Sequence, residues 1–183
     1  YNSLMAIQIN GNGTITGISV GGLPDGIVDT DMIANNAVTD AKSTIVGGKV
    51  LQLLNYYQSS SPTTTSNSYS DTGLTLNITP SATTSKIHVT GNVLLGQNTS
   101  GYGEETGLKL LRDSTEIWSR GDFFRIFENG QQVTRHYAGQ MIQHLDSPNT
   151  TSQITYKLQW KTNSGGTVYM LEGSNITVME VAA

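Results

Sequence analysis

In Ile154-Thr155-Tyr156-Lys157-Leu158-Gln159-Trp160-Lys161 every second side chain is large and apolar, and the ones between are polar. Side chains of an extended chain point alternately to opposite faces, so a period of two specifies a strand with one buried and one wet face. The same pattern recurs upstream. Ile87, Val89, Gly91, Val93 and Leu95 alternate with Lys86, His88, Thr90 and Asn92, while Leu74, Leu76 and Ile78 alternate with Thr75, Asn77 and Thr79. Ile176 and Val178 mark a last strand, and Val133, Tyr137, Met141 and Leu145 share one face of a long strand over 132–146. Turn chemistry falls between these runs, at Ser60-Ser61-Pro62, Thr79-Pro80-Ser81, Glu128-Asn129-Gly130, Ser147-Pro148-Asn149 and Ser164-Gly165-Gly166. About eight or nine strands without a helix predict an all-β head over residues 47–183, a β-sandwich of the jelly-roll kind.

Composition agrees. The 183 residues include 24 Thr, 18 Ser, 14 Asn and 20 Gly, a β-rich, turn-rich mixture that argues against a helical bundle. Ten Lys+Arg against 14 Asp+Glu lack the positive excess that neutralising phosphates requires, so no nucleic-acid partner is expected. No run of about 18 apolar residues is present, so no membrane insertion is expected. The absence of Cys excludes disulfides and thiolate zinc sites. The first residue is Tyr1 rather than Met, as a processed or partial start would leave.

The predicted first strand, residues 49–57, carries apolar side chains on both faces, whereas an edge strand of a two-layer sandwich needs only one. A neighbouring subunit would cover the second face.

Residues 1–46 form a different region. Gly-punctuated segments and the turn Leu23-Pro24-Asp25-Gly26 precede a loose echo, Val28, Asp31 and Ile33 followed by Val38, Ala41 and Lys42. Its apolar side chains are too few to offset the backbone entropy of ordering it alone, and too frequent for a solvated linker. An extended arm wrapped against copies of itself or another protein is the expectation. Ile7, Ile9, Ile15, Ile18, Leu23, Ile27, Ile33 and Val38 are its candidates for trimerisation or attachment.

Chemistry-bearing motifs are sparse. Gly17-Ile18-Ser19-Val20-Gly21 matches the nucleophile-elbow pattern but lacks the strand-to-helix context and triad partners which that chemistry needs. His136, Gln140 and His144 fall on the face opposite the apolar set, with steps of roughly 13 Å between them, too far for one metal ion. They read either as solvent-facing polar positions or as a ring across a symmetry axis or a ligand-facing surface. Glu104 and Glu105 are adjacent and point apart, so they cannot form the facing pair of a glycosidase. Asp25, Asp29, Asp31 and Asp40 lack calcium-loop spacing. Five Asn-x-Ser/Thr triplets follow from composition, and Arg120-Gly121-Asp122 is too short to carry weight. No catalytic residue, metal or cofactor is expected.

The run Ile117-Trp118-Ser119-Arg120-Gly121-Asp122-Phe123-Phe124-Arg125-Ile126-Phe127 stands apart. Aromatics and Arg are enriched in binding hot spots, and aromatic faces stack on sugars; the bland alternative is that the Phe residues plug one end of the sandwich. Exposed loops are expected over 96–105 and 119–131. The ligand-binding candidates are Tyr102, Trp118, Arg120, Arg125, His136, Gln140 and His144.

Asn12-Gly13-Thr14-Ile15-Thr16-Gly17-Ile18-Ser19-Val20-Gly21-Gly22-Leu23-Pro24-Asp25-Gly26-Ile27-Val28 and Ala34-Asn35-Asn36-Ala37-Val38-Thr39-Asp40-Ala41-Lys42 resemble the stalk segments of tailed-bacteriophage fibres and other virion appendage proteins, especially of marine and cyanobacterial phages. The remainder, with Ser85-Lys86-Ile87-His88-Val89-Thr90-Gly91, Leu111-Arg112-Asp113 and Thr177-Val178-Met179-Glu180-Val181, looks like the jelly-roll heads that end such fibres. The resemblance implies a homotrimer with a TNF-like or C1q-like head, located on the virion at tail or capsid. Its partners would be other virion proteins, held through residues 1–46, and a host-cell surface glycan or protein. A capsid-attached head fibre or decoration protein, a glycan depolymerase or lyase tip, and a cellular carbohydrate-binding module are the rival readings. The last has no use for the arm.

Overall fold

The computed structural model describes residues 48–98, 105–125, 136–163 and 166–183. The arm, including Ile7, Ile9, Ile15, Ile18, Leu23, Ile27, Ile33 and Val38, lies outside them, as do Tyr102 and Val133. The described residues contain ten strands and no helix: β1 Val50–Tyr57, β2 Thr63–Thr64, β3 Ser70–Ile78, β4 Lys86–Asn98, β5 Glu105–Arg112, β6 Thr115–Arg125, β7 His136–Asp146, β8 Ile154–Thr162, β9 Thr167–Met170 and β10 Asn175–Val181.

They form two antiparallel sheets. One has the order β1-β10-β4-β9-β2 with β7 on β4, and the other has the order β3-β8-β5-β6. Strand β10 pairs with the first half of β4, Lys86 to Asn92, and β9 with its second half, Leu95 to Asn98. The two therefore act as one interrupted strand. On its far side β1 pairs with β10 and β2 with β9, making a second interrupted strand. Merged in this way, the described residues have eight strands, and in chain order they lie 1-8-3-6 in one sheet and 2-7-4-5 in the other. That is the connectivity of a jelly roll, in which two interleaved Greek keys close a sandwich. The all-β jelly-roll expectation is met.

The core follows the alternation. Ile87, Val89, Val93 and Leu95 from β4 meet Ile154, Tyr156, Leu158 and Trp160 from β8, with Leu74, Ile78, Leu108, Leu110, Ile142, Val168, Met170, Ile176 and Val178 completing it. Each strand contributes alternate positions, because only those project between the sheets. Gly91 lies on the inner face, where a Cβ would come within 3.4 Å of the Asn175 carbonyl oxygen and 3.7 Å of Ile142, ordinary contact distances.

Strand β7 departs from the sequence reading. Its eleven-residue register puts Ile142 beside Gly91 and Asp146 beside Ile87, so these two face inward. The same register places Gln140 and His144 on the inward side and Tyr137, Met141 and Leu145 on the outward one. The apolar set and the His-bearing set have exchanged faces. The physical cause is the pairing with β4, where Ile142 over Gly91 and Asp146 over the sandwich edge are the contacts that set parity.

Candidate functional site: the outward face of the larger sheet

Register aligns the outward side chains of the larger sheet into rows. Leu53, Met179, His88 and Leu145 form one row across β1, β10, β4 and β7; Asn55, Thr177, Thr90 and Gln143 form the next; Tyr57, Asn175, Asn92 and Met141 the third. Further along β4, Gly96 lies between Tyr169 and Tyr137, whose rings meet edge to face at 6.0 Å and 77°. Val50 and Val181 close the opposite end beside Lys86. The large apolar members on β1 and β7 are bare. Leu53 and Tyr57 are 61% and 64% exposed, and Tyr137, Met141 and Leu145 are 55%, 72% and 61% exposed.

Such a face is unusual for an uncovered sheet. Single exposed apolar residues are ordinary, but here they occupy both flanks of one face, with Met179, His88 and small polar residues between them. The polar members are tied within the face: Asn55 donates to Thr177 Oγ1, and Gln143 Nε2 lies 3.1 Å from His88 Nε2. No outward strand position of this sheet among the described residues is a carboxylate. Asp146 and Glu180 belong to the inward face, and Glu172 sits in the β9–β10 turn.

The smaller sheet presents the opposite chemistry. Lys157 Nζ lies 3.2 Å from Asp71 Oδ2, Gln159 donates to Asp71 Oδ1 at 2.6 Å, and Lys109 Nζ lies 3.9 Å from Glu116. The hydrogen bond from Gln159 and the Lys157 ammonium hold the Asp71 carboxyl below its usual range against a modest desolvation. Lys109 and Lys161 stand over the Tyr69 ring at 4.4 and 5.4 Å. This is an ordinary solvated face of paired charges, and each exposed pair contributes little to stability.

Two buried ionic devices brace the larger sheet. Glu180 is fully buried. Burial pushes its carboxyl up, and hydrogen bonds from Ser85, the Ser81 amide, Gln52 and the Ser81 hydroxyl outweigh that and hold it below its usual range. At the opposite edge Arg112 Nη1 reaches both oxygens of Asp146 at 2.9 Å, and the Tyr156 hydroxyl donates to Oδ2 at 2.6 Å. Burial first, and then the bond to Asp146, push the Tyr156 phenol far above its ordinary range, so it acts as a fixed donor.

The expected ligand-binding residues are not gathered into one site. Trp118 is half-buried, lies opposite Leu110 and packs against the core, so its indole serves the sandwich. Arg120 is exposed on β6 beside Leu108. Residues 119–125, expected in a loop, are strand, as is β4 through Asn98. Arg125 and His136 have their backbones in β6 and β7, and their side chains lie outside the described set, as do those of Phe123 and Phe124. Gln140 and His144 are half-buried on the inward side of β7 rather than solvent-facing. Tyr102 and residues 126–131 lie outside the description. Among the described residues no group of three or more His, Asp or Glu could hold a metal ion.

Sequence reasoning drew attention to β1, whose two apolar faces were visible, but it missed that Met141 and Leu145 extend the same surface. The missing signal was the register of β7.

The fold is thus a two-sheet jelly roll whose larger sheet offers an apolar outer face. No family model and no curated protein sequence matches the chain. Among solved structures, the VP2 subviral particle of infectious bursal disease virus overlaps at a TM-score of 0.44 and 12% identity, over 72% of this chain and 36% of that one. The T=1 particles derived from the same virus give 0.43 and 13%, over 71% and 34%. The dimeric latent PorU of Porphyromonas gingivalis gives 0.37 and 14%, over 74% and 14%. The chain spans about a third of the length of the viral proteins, at 36% and 34%, and less of PorU. Likeness at this level assigns no function.

Proposed function

We propose that this chain is a non-enzymatic structural component of a virion appendage, a tail fibre or a similar projection, that assembles as a homotrimer through the outward face of its larger sheet. Residues 1–46 dock on other virion proteins of the tail or capsid, and the jelly-roll head meets a glycan or protein of the host surface. The stalk-like sequence of the arm supports the virion assignment.

The observation that carries self-association is the contrast between the two outer faces, one of paired charges and one of bare Leu53, Tyr57, Tyr137, Met141 and Leu145. Four strand columns about 4.8 Å apart and about ten residues long offer roughly 600 Å² of face. Divided between the two neighbours a protomer has in a trimer, that supplies about 300 Å² to each contact, part of the about 800 Å² per partner of a standard interface. A face with no strand carboxylate is also poorly suited to a basic partner, whereas a copy of itself matches it in polarity. Several weak receptor contacts on one trimer, multiplied over several trimers, would give attachment through avidity.

Size-exclusion chromatography with light scattering tests the reading. The full chain is expected at three times its 19.6 kDa, and Leu53→Lys with Met141→Lys should yield a folded protomer. A wild-type chain that runs as a folded monomer at micromolar concentration overturns it.

A further inference from the structure

Within the apolar face one side chain is titratable at ordinary pH. His88 stands on β4 in the row Leu53, Met179, His88 and Leu145, half-buried between two large apolar neighbours. Gln143 Nε2 lies 3.1 Å from its Nε2, a contact in which a neutral ring accepts from the amide. A protonated ring would carry hydrogen on that nitrogen and oblige the amide to turn over.

The charges around His88 decide what protonation would do. On its own strand the nearest outward neighbour is Lys86, a like charge whose Nζ donates to Ser147. Strand β10 offers Val181, Met179 and Thr177, β7 offers Leu145 and Gln143, and β1 offers Leu53 and Asn55. None is anionic. Asp146 and Glu180 face inward and are already engaged by Arg112 and by Ser81 and Gln52. Glu172 lies in the turn beyond Leu94's partner Leu171, roughly 20 Å along β4 from His88. A second copy presenting the same face brings no strand carboxylate either, so an imidazolium covered there would be desolvated, uncompensated and close to Lys86.

We infer that His88 makes assembly through this face pH-sensitive: the apolar row closes over a neutral imidazole, and protonation drives the copies apart. This deepens the reading above and rests on it. Because the covered ring must stay neutral and imidazole gains its proton on acidification, the association present at pH 7.5 weakens toward pH 5.5.

The experiment is light scattering of the full chain at pH 7.5 and pH 5.5, with far-UV circular dichroism at both to verify folding. The wild type should be assembled at pH 7.5 and largely dissociated, still folded, at pH 5.5. His88→Gln and His88→Met should remain assembled at both, and His144→Gln should keep the wild-type response. Assembly unchanged at pH 5.5, or a response that survives in both His88 variants, overturns the role of His88 while leaving self-association standing. A monomer at pH 7.5 overturns both.

Discussion

Arg112 on β5 and Asp146 at the end of β7 join the two sheets through one nitrogen and two oxygens, Nη1 lying 2.9 Å from each carboxylate oxygen. Asp146 is buried, and Tyr156 completes the site with a hydrogen bond at 2.6 Å. The contact closes the edge of the sandwich where, among the described residues, β7 has no strand neighbour beyond β4.

Asp146→Ala should therefore strand a cation and a phenol in a mostly dry site, at a cost of about 3 kcal/mol. Urea denaturation measures it. A loss below about 0.5 kcal/mol, the level of a neutral surface change, would show that the clip is dispensable.

Glu180 predicts the acid limb of stability. Its folded-state value lies below the ordinary 4.5, so its contribution is complete above about pH 4.5 and is lost as the pH falls through the folded-state value. The urea midpoint should drop on acidification from pH 5 to pH 3, and Glu180→Gln should make that drop shallower while lowering stability at pH 7. Equal slopes for the two proteins would refute it.

Gly96 and Gly121 make a matched pair. A Cβ at Gly96 would meet the Tyr169 ring at 2.1 Å, so Gly96→Ala must displace that ring from its edge contact with Tyr137. Overpacking of this kind costs about 1–3 kcal/mol. Among the described residues nothing lies within 4 Å of a Cβ at Gly121, and Gly121→Ala should be neutral or slightly stabilising. Thermal melts of both variants check the contrast.

Trp118 separates packing from recognition. It packs against the core opposite Leu110, so Trp118→Ala should lower stability by about 2–3 kcal/mol. A variant as stable as wild type would restore the indole to the recognition surface.

Much of the fold was legible in the chain because β4, β8 and β10 place apolar side chains at every second position and have only one sensible inner face. Ile154, Tyr156, Leu158 and Trp160 are all buried, as the alternation required. Strand β7 was not legible. Val133, Tyr137, Met141 and Leu145 outweigh Ile142 in the local pattern and favour the parity that the register with β4 reverses. The decision falls to the pairing with β4 that buries Ile142, and to Arg112 and Tyr156, which hold Asp146. Those partners lie far away in sequence, and no local pattern reports them.

From sequence alone came the all-β class, the strand count, the inner faces of the central strands and the surplus of apolar residues on β1. Each follows from a local period, because alternation is a property of the extended backbone itself. Only the tertiary structure decided that β1 and β7, some eighty residues apart, turn their apolar sides to the same outer face with His88 between them. Strand register is set by long-range pairing, and a shift of one residue would have turned Met141 and Leu145 inward and left no such surface.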